Sequence, residues 1–215
     1  MSIANLVRWS GLISIFAGVL YALGALLHPV GEDAAAFASS TWVTAHLVYL
    51  VSVILMQFGL VGLYARQAEK TGWLGLAGFV LAFIGTAFVG TIMYMVARVI
   101  HLIAKEAPAL FDQVATPPTD AVLVLALGYV LGYCLFGAAT MRAGVLPRWS
   151  GLLLIIGSVS FFISEAPLFD RALAHVIVTF GDVVFGLGLA WMGYALWSEK
   201  RMPGVSRSAS LHTTG

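Results

Sequence analysis

The residues best suited to chemistry are an aspartate and a histidine in the last apolar segment of the chain. Asp182 lies well inside the run from 172 to 197, and His175 precedes it by seven residues. Two helical turns separate them, so both side chains lie on one face of a helix. A carboxylate in hydrocarbon must be protonated or paired, and such residues mark ligand or proton pathways by default. We expect proton or ion coupling or a ligand contact here, with a purely structural Asp182 bonded to Tyr or Thr as the alternative.

Other polar side chains fall at a similar depth of the apolar segments. At about 1.5 Å per helical residue, His28, His46, Glu165 and Asp182 lie roughly 22–28 Å from the boundary at which the first segment begins, with His175 somewhat farther. Tyr94 reaches a similar level, and Gln57 lies deeper. The sequence therefore predicts a polar pocket open to the outer face. The candidate residues for a ligand or proton pathway are His46, His175, Asp182, Gln57 and Tyr94.

The same histidines suggest a second kind of site. Imidazoles with a carboxylate are ligands for zinc or copper, and three ligands with an open position would make the site catalytic. The candidate metal ligands are His28, His46, His175 and Glu165. Alternatively, two histidines could bind a haem axially. No H-E-x-x-H or C-x-x-C-H motif supports either site, and histidines at segment ends are also ordinary interfacial residues.

Composition places these residues in an integral membrane protein. The 215-residue chain is 60% hydrophobic and only 10% charged, whereas soluble domains carry about 25% charged residues. The six apolar runs cover about residues 6–27, 43–64, 73–97, 121–140, 149–164 and 172–197. Each is close to the roughly 20 residues of a spanning helix, although the fifth is short. The predicted fold is all-α, a polytopic bundle of six transmembrane helices over 1–197, followed by a disordered cytoplasmic tail over 198–215.

The distribution of basic residues predicts the orientation. With the N-terminus inside, the inner segments hold eight Lys or Arg residues and the outer segments hold three, Arg98, Lys105 and Arg171. Basic residues near segment ends are retained in the cytoplasm, so both termini are predicted to be cytoplasmic. The inner segment ends also carry Trp9, Trp73, Trp149 and Trp197, as an interfacial aromatic belt requires.

A short repeat suggests three helical hairpins of the same direction. The pentapeptide that begins at Arg8 recurs at Arg148 as RWSGL, and Trp73 begins a looser third copy, WLGL. Duplication explains the repeat, but a basic residue, Trp and small residues also suit any inner helix start. Gly128 and Gly132 form a G-x-x-x-G motif, which predicts close helix contact within the bundle or between subunits.

Two stretches of the sequence resemble a known group of proteins. RWSGLISIFAGVLYALGALLHP from Arg8 and GLVGLYARQAEKTGWLGLAGFVLAFIGT from Gly59 are similar to prokaryotic six-helix membrane proteins grouped as domains of unknown function. The resemblance implies a six-helix fold in a bacterial inner membrane. It carries no catalytic residue to this chain.

Three functions remain open at this point. The sequence favours binding or transport of a small ligand or ion in the plasma membrane, centred on His46, His175 and Asp182. The alternatives are a metal-dependent membrane enzyme that activates water, or a non-catalytic subunit of a homo-oligomer or of a partner membrane protein. The predicted partner common to all three is the lipid bilayer, and the net charge of +1 offers no basic stripe for nucleic acid.

Overall fold

All the regular secondary structure in the described part of the chain is helical. The computed structural model describes residues 3–31, 33–115, 119–164 and 168–199. Within them the α-helices are α1 Ile3–Leu27, α2 Ala34–Phe37, α3 Ser40–Tyr94, α4 His101–Glu106, α5 Pro108–Val114, α6 Thr119–Val124, α7 Leu131–Ala143, α8 Arg148–Ser164 and α9 Arg171–Ser198. Two π-helical segments, Met95–Ile100 and Leu125–Val130, join α3 to α4 and α6 to α7 without a break. Glu32, Glu165 and the residues beyond Glu199, where most of the predicted tail lies, are outside the described residues.

Four helical stretches are long and apolar enough to cross a membrane: Ala4–Leu27, Ser40–Glu106, Asp120–Ala143 and Arg171–Ser198. The helix Arg148–Ser164 is apolar but shorter. Each of the six apolar runs of the sequence falls inside one of these helices. The all-helical structure is therefore consistent with a helical membrane protein.

The longest helix, α3, is a hairpin of two arms. Gly72 has φ 56° and ψ −150°, which is not helical, and it separates a first arm (40–71) from a second arm (73–94). The arms are antiparallel, because the Tyr64 and Phe79 rings stack at 4.5 Å and the Gln57 Nε2 donates to the Phe83 carbonyl at 3.2 Å. The second and third apolar runs are thus joined by a turn at one glycine.

The long helices form a ring in chain order. The first arm packs on α1, the second arm on α7, α7 on α8, α8 on α9, and α9 closes the ring on α1. Glycines allow the close approach at these seams: a Cβ on Gly137 would lie 2.5 Å from the Gly151 oxygen. Gly128 and Gly132 face Gly85 and Ala82 of the second arm, so this motif serves contact within the bundle.

Consecutive long helices are antiparallel, so the ring has two distinct ends. The tryptophan end carries Trp9, Trp73, Trp149 and Trp197, and the histidine end carries His28, His46, His101 and His175. At the tryptophan end Arg66 pairs with Glu199 at 2.9 Å, and the Arg8 Nε donates to the Trp197 carbonyl at 3.1 Å. These contacts hold α3 and α1 to the end of α9.

Buried side chains fill the centre of the ring, and the outer surface of the ring is apolar. Tyr133, Phe136, Phe185 and Met56 are fully buried at the centre. Every long helix also exposes large apolar side chains, as Phe16, Phe58 and Phe180 illustrate. Hydrocarbon surroundings remove the energetic penalty that such exposure would carry in water.

Candidate functional site

A cavity of about 450 Å³ lies inside the histidine end of the ring. Its walls come from α1, both arms of α3, the two π-helical segments, the end of α8 and the first half of α9. Most of the lining is apolar, with Val89, Leu125 and Val178 as examples. Small-molecule sites commonly have this volume and character, with a few polar groups that orient the ligand.

The Asp182 carboxyl is a buried polar group in the cavity wall. Asp182 is 6% exposed, and its Oδ2 accepts a hydrogen bond of 2.5 Å from the Tyr49 hydroxyl. The Tyr21 ring meets the Tyr49 ring edge-on at 5.0 Å, and its hydroxyl lies 2.8 Å from the hydroxyl of Tyr129. α9, the first arm of α3, α1 and the Leu125–Val130 segment thus meet in one buried network. A carboxyl bonded by a neutral hydroxyl needs no basic partner to be tolerated.

Three histidines lie around the other end of the cavity. The ring centre of His28 is 5.0 Å from that of His46 and 5.8 Å from that of His175. The Nδ1 atoms of His28 and His46 each lie 2.9 Å from a backbone carbonyl, of Pro29 and Trp42. A carbonyl can only accept, so both Nδ1 atoms carry the proton, and each neutral ring keeps a free lone pair on Nε2.

The protonation of His28 follows from its surroundings. Burial lowers the pKa of His28, which follows the last residue of α1, and the neighbouring His175 acts in the same direction. The backbone bond to Pro29 opposes these two effects without cancelling them. His28 is therefore neutral at pH 7 and presents an acceptor on Nε2.

Aromatic contacts close the histidine end above the cavity. The Phe37 ring, in the short helix α2, stacks on Trp42 at 3.8 Å and meets the Phe111 ring edge-on at 4.9 Å. The His101 Nδ1 donates to the Phe37 carbonyl at 2.8 Å and so ties α4 to α2. Within the connection from α1 to α3, the helix α2 begins after Asp33, whose carboxylate caps the Ala36 N–H at 2.8 Å.

Two local features mark the cavity as unusual within the fold. The Trp42 indole N–H is buried and has no hydrogen-bond partner in the part of the chain that the structure describes. A buried donor without a partner is destabilising, and a ligand or ordered water would satisfy it. Both π-helical segments also contribute to the lining, through Val96 in one and Ala126 in the other. Such segments occur frequently at functional sites.

The structure brings together most of the residues that the sequence singled out. His28, His46, His175 and Asp182 all line the cavity. Gln57 does not: it joins the two arms of α3 below it. Tyr94 is 54% exposed and is also absent from the lining. Glu165 lies outside the described residues.

The geometry gives little support to a metal centre. Among the described residues no group of three or more His, Cys, Asp or Glu side chains is placed to hold a metal ion. The hydrogen bonds at Nδ1 leave Nε2 as the coordinating atom of His28 and His46, and a third ligand from this part of the chain does not join them. The zinc, copper and haem sites considered from the sequence stay predictions.

Sequence reasoning missed the aromatic half of the site. Trp42, Tyr49, Tyr21 and Tyr129 all line the cavity, and the Tyr49 hydroxyl bonds Asp182. A signal was present for the first arm of α3, where Trp42, His46 and Tyr49 are spaced i, i+4 and i+7 and so share one helix face. Tyr129 has a comparable pattern, with Tyr133 and Phe136 at i+4 and i+7, but aromatic residues at this spacing are as typical of a packed core as of a cavity. Tyr21 has no Phe, Tyr or Trp at these spacings.

No protein-family model, curated protein or solved structure matches this chain. The functional argument therefore rests on the cavity itself.

Proposed function

We propose that this protein binds a small ligand or an ion in the cavity and takes part in its transport across the cell membrane. The observation that carries the proposal is a buried carboxyl group, Asp182, in the wall of a cavity that is otherwise mostly apolar. A fold that needed only stability would be served as well by an apolar residue at this position. The free N–H of Trp42 and the free Nε2 atoms of His28 and His46 add unsatisfied bonding capacity around the same space.

The proposal includes a placement in the membrane. Six segments would cross: α1, the two arms of α3, the helix over 119–143, α8 and α9. The distribution of basic residues supports cytoplasmic termini, which would put the tryptophan end inside and the cavity toward the outer face. The exposed rings of Trp73 and Trp149 suit the inner interface.

His175 is a second titratable residue in the cavity wall, closer to the histidine end than Asp182. It lies two turns from Asp182 on the same face of α9, and both line the cavity with Thr179 between them. The Thr179 hydroxyl is 3.5 Å from the His175 Nε2. A proton released by Asp182 when a ligand binds would have His175 as its nearest titratable acceptor along α9.

Ligand binding in the cavity can be tested by blocking it. Purified protein in nanodiscs would be screened by thermal shift against a chemically diverse set of small molecules. Ala126 lines the cavity, so Ala126→Trp should abolish stabilisation by the hits, while Ala87→Trp, on an exposed part of the second arm, should leave it unchanged. Hits that stabilise both variants equally, or a screen without hits, would contradict the proposal.

The coupling to protons needs a separate experiment. In proteoliposomes that contain a pH-sensitive dye, a ligand gradient should move protons with the unaltered protein. Asp182→Asn should remove this signal because an amide cannot release a proton. Undiminished proton movement by a variant that is inserted at normal levels would exclude Asp182 as the coupling group.

A further inference from the structure

The charges around the cavity have one sign. Among the residues that the structure describes, the lining contains one carboxyl group, Asp182, and neither lysine nor arginine. The Tyr49 hydroxyl bonds the carboxyl. Its charged form therefore has a hydrogen-bond donor but no lysine or arginine beside it in the described part of the cavity wall. A ligand that supplies a positive charge would complete the pair in surroundings of low dielectric constant, where such attraction is strong.

Aromatic rings surround the same space. Trp42, Tyr49, Tyr129 and Phe161 contribute to the lining, and the rings of Tyr21 and Tyr49 meet edge-on at 5.0 Å beside the carboxyl. The face of an aromatic ring attracts cations, most strongly when water is excluded. Rings and carboxyl thus favour the same sign of charge on a ligand.

Two of the histidines also favour a ligand that donates hydrogen bonds over one that can only accept them. With the proton on Nδ1, the Nε2 atoms of His28 and His46 can only accept hydrogen bonds. An anion would find few free donors in the described lining, the Trp42 N–H and one from the His175–Thr179 pair, and neither lysine nor arginine. The protonated nitrogen of an amine would find acceptors at both ends of the cavity.

On the premise that the cavity binds a ligand as proposed above, we infer that the ligand is a lipophilic organic cation. Its amine or quaternary ammonium group would lie against Asp182 and the aromatic rings, and its apolar body would fill the wall formed by Val89, Leu125 and Val178. The cavity volume of about 450 Å³ accommodates a molecule with one or two rings.

Three probes that differ mainly in the charge of one group test the inference. Phenyltrimethylammonium, methyl phenyl sulfone and benzenesulfonate each join a phenyl ring to a compact tetrahedral group that is positive, neutral or negative. Binding of each to the unaltered protein in nanodiscs would be measured by equilibrium dialysis against empty nanodiscs. We expect phenyltrimethylammonium to bind most tightly and benzenesulfonate not to bind.

Substitution of Asp182 then tests whether its carboxyl group is responsible for the preference for the cation. Asp182→Asn should weaken binding of phenyltrimethylammonium by about tenfold or more. Asp112→Asn, which removes an exposed acid outside the cavity lining, should not change it. The comparison of probes needs only the unaltered protein, so it stands even if the Asp182 variant fails to fold.

The outcomes separate this inference from the proposed function. Equal or tighter binding of the neutral or anionic probe would overturn the cation and leave ligand binding in place. Cation binding that survives Asp182→Asn in folded protein would overturn the role given to the carboxyl. Failure of all three probes would overturn the cation class, and it would extend to the proposed function only if the screen blocked by Ala126→Trp also gave no hits.

Discussion

The bond between Tyr49 and Asp182 is the residue-scale feature on which the site depends most. The hydroxyl and the carboxyl are both buried, at 7% and 6% exposure of their residues, and they meet at 2.5 Å. Tyr49→Phe keeps the ring and removes the donor, which leaves a buried carboxyl short of a bond. We expect the free energy of unfolding to fall by about 1–3 kcal/mol, measured by reversible unfolding in mixed micelles.

A control variant and a double variant test whether the loss of stability comes from the bond between Tyr49 and Asp182. Tyr64→Phe removes a hydroxyl that makes no hydrogen bond in the described part of the chain, so it should have little effect. In the double variant Tyr49→Phe with Asp182→Asn, the loss should be smaller than the sum of the two single losses, because the two groups no longer depend on each other. Strict additivity would show that the 2.5 Å contact contributes nothing to stability.

The sequence predicted the polar part of this site better than the aromatic part, for a physical reason. His46, His175 and Asp182 stand out because polar groups are expensive in an apolar segment, whatever the fold. Tyr21 and Tyr129 do not stand out, since an aromatic ring suits the core, the interface and the lipid face alike. Gln57 was placed in the pathway on depth alone, whereas its direction on the helix, toward Phe83, carries it away from the cavity.

At the scale of elements, the seam between α1 and α9 depends on paired glycines. A Cβ built on Gly18 would collide with the Gly186 carbonyl oxygen, and one on Gly186 with the Gly18 oxygen. Gly18→Ala must therefore push the two helices apart, and we expect a loss of about 1–3 kcal/mol in the same unfolding assay.

Gly90 in the second arm of α3 supplies the control for the seam. A Cβ there meets nothing within 4 Å, so Gly90→Ala should leave stability unchanged or raise it by up to about 1 kcal/mol through helix propensity. Similar losses of unfolding free energy for Gly18→Ala and Gly90→Ala would show that steric contact between α1 and α9 does not explain the effect of Gly18→Ala.

The elements themselves were largely predictable, but one connection was not. Long apolar runs specify helices because the backbone must satisfy its own hydrogen bonds in lipid, and each predicted run does lie within a helix. The gap between the second and third runs, 65–72, holds the charged residues Arg66, Glu69 and Lys70. Polarity does not break a helix. Gly72 does so, because its φ of 56° is disfavoured for residues that carry a Cβ.

At the scale of the whole molecule, the two ends differ in charge as well as in residue type. The tryptophan end holds Arg8, Arg66, Lys70, Arg142 and Arg148, while the histidine end holds Arg98, Lys105 and Arg171 among the described residues. The described acids favour the histidine end, where Asp33, Glu106, Asp112, Asp120 and Asp170 lie, although acids have little influence on insertion. The asymmetry favours an orientation with the cavity toward the outside, where it would receive ligands that arrive from beyond the cell.

This orientation can be measured without disturbing the charges that set it. Glu69, beside the turn of α3, and Asp112, in α5, are exposed acids at opposite ends of the bundle. Each would be replaced by cysteine after Cys134, the single native cysteine, has been changed to serine. A membrane-impermeant maleimide should label Asp112→Cys in intact cells and Glu69→Cys only after permeabilisation.

The reverse labelling pattern would show that the protein has the opposite orientation, with the cavity facing the cytoplasm. Labelling of both sites from one side would mean that the second arm of α3, with the helix that continues to Glu106, does not cross the membrane, although Ser40–Glu106 has the length for two crossings.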